Sequence, residues 1–307
     1  MKTILIIFLI IIIVLFILVI LRSLYECNNI SVTDYIIDVP NLTKDHSFAF
    51  IADIHSKQFK SNKLIDRLKA LDVKEVIIGG DMIVGKAINN DNGKECLEQL
   101  ISNFKVYYVY GNHETRIIDR KIPDISGFLP FVEKQERDGR LTLLNNKCIT
   151  LFEDKEINGE QKNKSSKATT IKLWGLELGD EFYHKKRPKK LEVKDVKGKL
   201  KGIDEGGDDI YNILICHKPD YFFTYAQSGA NLVLAGHNHG GIVRIPILGG
   251  IISTSFKLFP KYSAGLYVEG ESKMILTRGI GTHTINFRLF NKPEIVRVKL
   301  QCDANTN

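Results

Sequence analysis

The chain offers little cysteine chemistry. Its five cysteines (Cys27, Cys96, Cys148, Cys216 and Cys302) are odd in number, scattered, and never form a C-x-x-C pair. This argues against a disulfide framework and against a cysteine-ligated zinc site. No serine or cysteine stands in a nucleophile motif, so covalent catalysis by a hydroxyl or thiol has no candidate. Internal repeats and dividing linkers are missing as well. Charged residues at 26% and hydrophobic ones at 44% describe an ordinary globular composition over most of the 307 residues. A formal net charge of +7 suits an anionic membrane surface, nucleic acid or a phosphorylated substrate, and does not choose among them.

The exception to that composition is residues 4–21, all of them apolar, between Lys2 and Arg22. As a helix rising 1.5 Å per residue the run spans roughly 27 Å, close to the ~30 Å hydrocarbon core of a bilayer. A cleaved signal peptide would end its apolar run in small residues. Here the exit is Arg22-Ser-Leu-Tyr-Glu-Cys27, without an A-x-A pattern, and Tyr25 and Glu26 spoil a lipoprotein site. The expectation is an uncleaved single-pass membrane helix. Lys2 and the free amine lean the orientation towards N-terminus inside, with the remaining domain outside the cytoplasm. The domain division read here is an anchor and connector over 1–29 and one domain over 30–307.

The domain alternates strands and helices. Residues 23–46 read as a connector and first edge strand. Residues 47–52 form an apolar strand run, followed by helical spacing of Leu64, Ile65, Leu68 and Leu71. Strand runs recur at 76–78 and 106–110, with a helix near 94–103 between them. A short helix is expected at 131–137, and a hairpin from 141–144 and 148–152. Residues 154–166 read as a solvent loop, and 171–176 as a further strand. The lysine-rich stretch from Lys185 and the acidic cluster Asp204, Glu205, Asp208 and Asp209 read as solvated faces. Strand 211–216 precedes a helix opened by Pro219, and strand 232–235 follows. Runs at 263–268, 274–277 and 295–298 are expected as antiparallel edges. The alternation argues for an α/β sheet.

Five of these runs deliver metal-competent side chains at their C-terminal ends: Asp53 and His55; Asp81; Asn112 and His113; His217; then His237 and His239. Ligands in open α/β sheets gather outside such strand ends. In Gly236-His-Asn-His239 the two imidazoles lie at i, i+2, a spacing that places both on one side of an extended segment. Mixed nitrogen and oxygen donors suit Mn, Fe or Zn better than Mg or Ca. Two such ions, bridged by a carboxylate, clamp a phosphoryl group and lower the pKa of a shared water.

The series Asp53-Ile-His55, Gly80-Asp81, Gly111-Asn-His-Glu114, His217 and Gly236-His-Asn-His239 resembles the signature of the calcineurin-like metallophosphoesterases. The stretches 236–246, 261–267, 278–282 and 288–294 resemble a bacterial subgroup with one N-terminal membrane segment. That resemblance implies a four-layer α/β/β/α sandwich and a two-metal site. It implies Asp53, His55 and His239 at the first ion, Asp81 as bridge, and Asn112, His217 and His237 at the second. His113 is implied as the catalytic residue that stabilises charge or protonates the leaving oxygen. Asn238 and Ile242 depart from the Thr and Gln often found in the subgroup, which bears on substrate preference. Arg278 and Arg288 read as salt-bridge or surface residues in preference to phosphate contacts.

The expected function is hydrolysis of a phosphodiester or pyrophosphate bond by a metal-bound hydroxide at a membrane-anchored domain. The expected substrates include amphiphilic or lipid-linked phosphoesters of the cell envelope. The apolar stretch with Ile245, Ile247, Leu248, Ile251, Ile252, Phe256, Leu258 and Phe259 reads either as a core hairpin or as a wall for such a substrate. On the second reading, removal of residues 1–29 spares turnover of small soluble diesters, and Phe256→Asp or Phe259→Asp impairs vesicle-borne ones. A phosphomonoesterase or nuclease on the same ligands and a catalytically silent binding protein are the alternatives. There is no strong case for a nucleic-acid partner, and the sequence does not set the oligomeric state.

Overall fold

A computed structural model describes the chain except for residues 60–62, 154–168, 185–186, 206, 208, 242, 246–248, 253–257, 283–285 and 303–307. Helix α1 (Lys2–Asn28) is long and apolar enough to cross a membrane. Most of it is exposed, and only its last turns touch the domain, where Ser23, Glu26 and Cys27 are buried. The chain then forms β1 (Ser31–Val39), β2 (His46–Ile51), α2 (Lys63–Lys69), β3 (Glu75–Ile78), α3 (Asp91–Ile101) and β4 (Lys105–Tyr108). Next come α4 (Asn112–Asp119), α5 (Phe128–Arg137), β5 (Thr142–Leu143), β6 (Lys147–Glu153), β7 (Thr170–Leu176) and α6 (Val193–Lys199). The remainder comprises β8 (Ile210–Cys216), α7 (Phe222–Gln227), β9 (Leu232–Ala235), β10 (Val243–Ile245), β11 (Gly249–Ile252), β12 (Gly265–Glu269), β13 (Ser272–Leu276) and β14 (Glu294–Cys302).

Two 6-stranded sheets carry the architecture, ordered β1-β14-β2-β3-β4-β5 and β12-β13-β9-β8-β7-β6. Their inner faces meet in a shared core of Phe48, Phe50, Ile77 and Tyr107 against Leu173, Ile213, Ile215 and Leu234. Because alternate residues face opposite ways, Ala49, Ile51, Val76 and Ile78 point outward instead. They pack beneath Leu64 and Leu68 of α2, Leu97 and Leu100 of α3, and Phe128 of α5. On the far side Trp174, Leu214 and Val233 meet Val196 of α6 and Phe222 and Tyr225 of α7. The layers are therefore α/β/β/α, as expected. Burial on both faces, at about 1.5–3 kcal/mol per large apolar side chain, explains why the strands read as continuous apolar runs.

Three expectations about strand pairing are corrected. The stretch 141–152 is not a hairpin. β5 pairs in parallel with β4 in one sheet, while β6 pairs with β7 in the other. The turn between them carries the chain across the sandwich. Asn145 Oδ1 accepts the Tyr110 amide at 2.9 Å and Asn146 Oδ1 accepts the Glu177 amide at 3.2 Å, one at each layer. β14 is an interior strand, parallel to β1 and antiparallel to β2. β13 is parallel to β9, which leaves β12 as the antiparallel edge. A run buried on both faces carries no periodic mark of its neighbours, so such pairings are decided by the assembled layers. Of the expected solvated faces, Lys185, Lys186 and Asp208 lie outside the described residues. Arg187, Lys189 and Lys190 are exposed, and Asp204 pairs with Lys197 at 2.6 Å.

Candidate metal centre

The C-terminal ends of β2, β3, β4, β8 and β9 converge, and each carries its candidate residues to one place. Tight turns deliver them: Asp53, His55, Asp81, His237 and His239 all have φ between 49° and 75°. Non-glycine residues rarely adopt this left-handed region, and each costs about 1–3 kcal/mol unless its surroundings hold it. The glycines before the ligands have a packing reason. A Cβ on Gly236 would lie 2.7 Å from Asp53 Oδ2, and one on Gly111 would lie 2.6 Å from the Asp81 amide nitrogen.

Three overlapping donor groups result: Asp53, His55 and His239; His55, Asp81 and His113; and Asp81, His217 and His237. His55 Nε2 and His239 Nε2 approach to 3.0 Å, and His239 Nε2 lies 3.4 Å from Asp53 Oδ1. Asp81 Oδ2 is 3.1 Å from His217 Nε2 and 3.7 Å from His55 Nε2, so this carboxylate stands between the outer two groups. Donors sharing one ion at bonds of about 2.1 Å lie roughly 3.0–3.4 Å apart, so the 3.0, 3.1 and 3.4 Å spacings fit divalent cations, and of these pairs only Asp81–His55 is wider. Asn112 contributes a buried Oδ1 that has no hydrogen-bond partner among the described residues. Such an acceptor is costly to bury unused, and a cation answers it.

Backbone hydrogen bonds engage Nδ1 of both His217 and His113. His217 Nδ1 donates to the Gly79 carbonyl at 2.7 Å, so Nε2 is the nitrogen turned to the site, open to a cation once its proton leaves. His113 is reversed. Its Nδ1 accepts the Gly85 amide at 2.6 Å, which leaves the proton on Nε2, 3.9 Å from Asp81 Oδ2. The His237 amide donates to both oxygens of Asp53, at 3.1 and 3.0 Å.

A calcineurin-like phosphoesterase family model matches residues 46–241. The chain belongs to the calcineurin-like phosphoesterases. It is 33% identical over 252 residues to the uncharacterized metallophosphoesterase YkuE of Bacillus subtilis, covering 78% of this chain and 76% of that one. It is 23% identical over 256 residues to the phosphodiesterase YaeI of Escherichia coli, covering 82% and 80%. As a member of this family it is a metal-dependent phosphoester hydrolase, and the donors gathered here are its candidate ligands.

The electrostatics of this phosphoesterase centre are those of two opposed carboxylates. Burial, then the neighbouring Asp81 charge, pushes Asp53 up to about 7 against the pull of His217. Burial works on Asp81 as well, but the imidazoles of His217, His113 and His55 overcome it and hold the carboxyl well below its usual range. For His217 burial lowers the pKa, yet Asp81 and Asp53 raise it to about 9. His237 is driven well below the ordinary imidazole range by burial and by Lys218.

Several residues that matter to this centre carry no assigned role in the sequence. Glu114 is fully buried, and its carboxylate accepts the amides of Asp81 at 3.0 Å, Gly111 at 2.9 Å and Ile83 at 3.2 Å. Its place in the Gly111-Asn-His-Glu114 motif was the signal, since an acid at the third helical position reaches back to free amides. Tyr183 packs its ring 5.2 Å from that of His237, and Lys218 Nζ sits 5.2 Å above Tyr183. Nothing local marks Tyr183, which arrives from the divergent middle of the chain. Arg278 pairs with Glu294 at 2.7 Å, as a salt-bridge role predicts. Arg288 is buried and donates instead to backbone carbonyls, among them those of Asn291 at 3.1 Å and Arg278 at 2.9 Å.

Proposed function

We propose that this phosphoesterase hydrolyses a phosphodiester or pyrophosphate bond at a two-metal centre, anchored to a membrane by α1 with its domain outside the cytoplasm. The observation that carries the reading is the place of Asp81, within reach of donors from both outer groups. On this reading Asp53, His55 and His239 hold one ion and Asn112, His217 and His237 the other, with Asp81 shared. Mn, Fe or Zn suits such mixed donors. When bound, the ions supply a water of lowered pKa and a clamp for the phosphoryl oxygens.

The chain's own residues do the rest. His113, with its proton held on Nε2 by the Gly85 amide, faces the site as a donor to a phosphoryl or leaving oxygen. Glu114 orients Asp81 through its backbone. The reading of an amphiphilic substrate is supported by exposed Ile245, Leu258, Phe259 and Phe290. Phe290 lies beside Arg22 at the base of α1, with the guanidinium 5.3 Å from its ring, and the next residue holds the His239 carbonyl. Ile247, Leu248 and Phe256 lie outside the described residues.

The test is to chelate the full-length chain in detergent, reload it with Mn²⁺, Fe²⁺ or Zn²⁺, and assay model monoesters, diesters and pyrophosphates. Metal-dependent turnover favouring diesters or pyrophosphates is expected. Preference for monoesters would replace the diester reading, and metal binding without any turnover would leave a binding protein.

A further inference from the structure

The last turn of α1 holds an acidic residue in an unusual setting. Glu26 is fully buried although it belongs to the most apolar helix of the chain. A buried carboxylate is costly unless its oxygens are bonded, so its partners show what it is for. One oxygen accepts Arg22 Nε at 2.7 Å. The other accepts the backbone amide of Asn291 at 2.7 Å. Asn291 is itself fully buried, and its Nδ2 donates to the carbonyl of His239 at 2.8 Å and to that of Gly241. One carboxamide thus ties two carbonyls of the turn that presents a candidate metal ligand in the left-handed region.

A second connection reaches the facing ligand. Lys57, just past His55, donates Nζ to the Cys27 carbonyl at 2.6 Å and to the Ile280 carbonyl at 3.2 Å. The Ser23 hydroxyl accepts the Arg288 amide at 3.1 Å, joining the helix to the loop that contains Asn291. The turns carrying His55 and His239, whose Nε2 atoms lie 3.0 Å apart, are therefore both tied to the end of α1, the first directly through Lys57 and the second through Asn291. His217, in the other donor group, has no such link among the described residues, and His237 precedes the tied carbonyls of His239 and Gly241 in the turn.

We propose that Glu26 is a positioning residue for the metal site formed by Asp53, His55 and His239, acting through Asn291 on the His239 turn. The N-terminal helix thereby completes the centre as well as attaching it. The inference rests on the two-metal reading above.

The experiment uses the full-length chain in detergent, chelated and then titrated with Mn²⁺, with stoichiometry and affinity read by electron paramagnetic resonance. Glu26→Ala, Asn291→Ala and the double variant are compared with Glu26→Gln, which keeps an oxygen for the Asn291 amide. Leu24→Ala, exposed on the same turn, is the control. Glu26→Ala and Asn291→Ala are each expected to weaken one of two Mn²⁺ sites by roughly 10–100-fold, the range for lost support of a ligand. The other site stays near native, and excess Mn²⁺ restores turnover. The double variant is no weaker than the worse single one, because both act along one path. Glu26→Gln and Leu24→Ala bind like the native chain.

Equal weakening of both sites, additive losses, or a lower melting temperature with unchanged Mn²⁺ affinity would each overturn the proposal. If Glu26→Ala does not fold, Asn291→Ala decides: without a selective loss at one site the proposal fails. A native chain that binds no Mn²⁺ or only one ion refutes the two-metal reading instead.

Discussion

Glu114 holds Asp81 by its backbone. The Glu114 carboxylate accepts the Asp81 amide at 3.0 Å, and the Asp81 carboxylate accepts the His113 amide at 2.8 Å. The candidate bridging ligand, the candidate acid and the start of α4 are thus one hydrogen-bonded unit, closed by Glu114 bonding the Gly111 amide.

Glu114→Ala would leave three buried amides, of Asp81, Gly111 and Ile83, without their acceptor. At about 1–3 kcal/mol for each unsatisfied group the expected loss is several kcal/mol of stability, accompanied by loss of bound metal. Glu114→Gln keeps one acceptor oxygen and should fall between. Melting curves of the chelated proteins, with metal analysis of the loaded ones, check this; an Ala variant of native stability would refute the role.

Asp81→Asn and His113→Ala should separate binding from chemistry. The first is expected to lose bound metal and most turnover while the fold survives. The second should keep near-normal metal content and lose about 10²-fold or more in kcat, as for a missing acid or charge stabiliser. Metal loss in His113→Ala equal to that in Asp81→Asn would contradict the division of roles.

The raised pKa values set a pH dependence. Asp53 moves from 3.8 to about 7, chiefly by burial and then by Asp81. Glu114 moves from 4.5 to about 7 for the same reasons in the same order. A carboxyl raised in the folded state resists ionisation, so it subtracts stability as pH climbs through its folded value. His217, raised from 6.5 to about 9 by Asp81 against burial, stabilises the fold below 6.5 and loses that contribution as pH rises through 9. These three agree in sign, while His237, held low by burial and Lys218, opposes them by adding stability as pH rises to 6.5. The melting temperature of the chelated protein should therefore fall between about pH 6.5 and about pH 9, where His217 acts without that opposition. Metal ions compete with the same protons, so affinity should rise over that window, with proton release visible by calorimetry in buffers of different ionisation enthalpy. A flat melting profile would contradict these assignments.

Truncation should depend on where the cut falls. The expectation from sequence is that removing residues 1–29 spares soluble turnover, but that cut takes Glu26 and its bond to Asn291. Removal of residues 2–21 is expected to leave metal content and turnover of a small soluble diester near native. Removal of 1–29 should weaken both. Either cut should reduce turnover of the same headgroup in vesicles, and so should Phe259→Asp at a residue that is 67% exposed. Equal effects of Phe259→Asp on soluble and vesicle-borne diesters would refute a membrane role for that surface.

The candidate ligands were legible because each sits in a short local motif, a turn after an apolar run, and short motifs survive reading in one dimension. Glu114 was visible as a letter but not as a cradle, because its bonds to Asp81 and Ile83 cross more than thirty residues. In the sequence Glu26 reads as an obstacle to lipoprotein processing. Its partner, Asn291, lies 265 positions away.

The sequence by itself determined the apolar strand runs, the helix that opens the chain and the donor types at each strand end. Those depend on side-chain chemistry and on spacing within a few residues. The tertiary structure alone decided that β14 lies between β1 and β2, that β5 and β6 part company across the sandwich, and that the end of α1 is bonded to the turn of His239. Strands buried on both faces carry no mark of their neighbours. A hydrogen bond between distant residues forms only once the layers have packed and removed the water that would otherwise satisfy both groups.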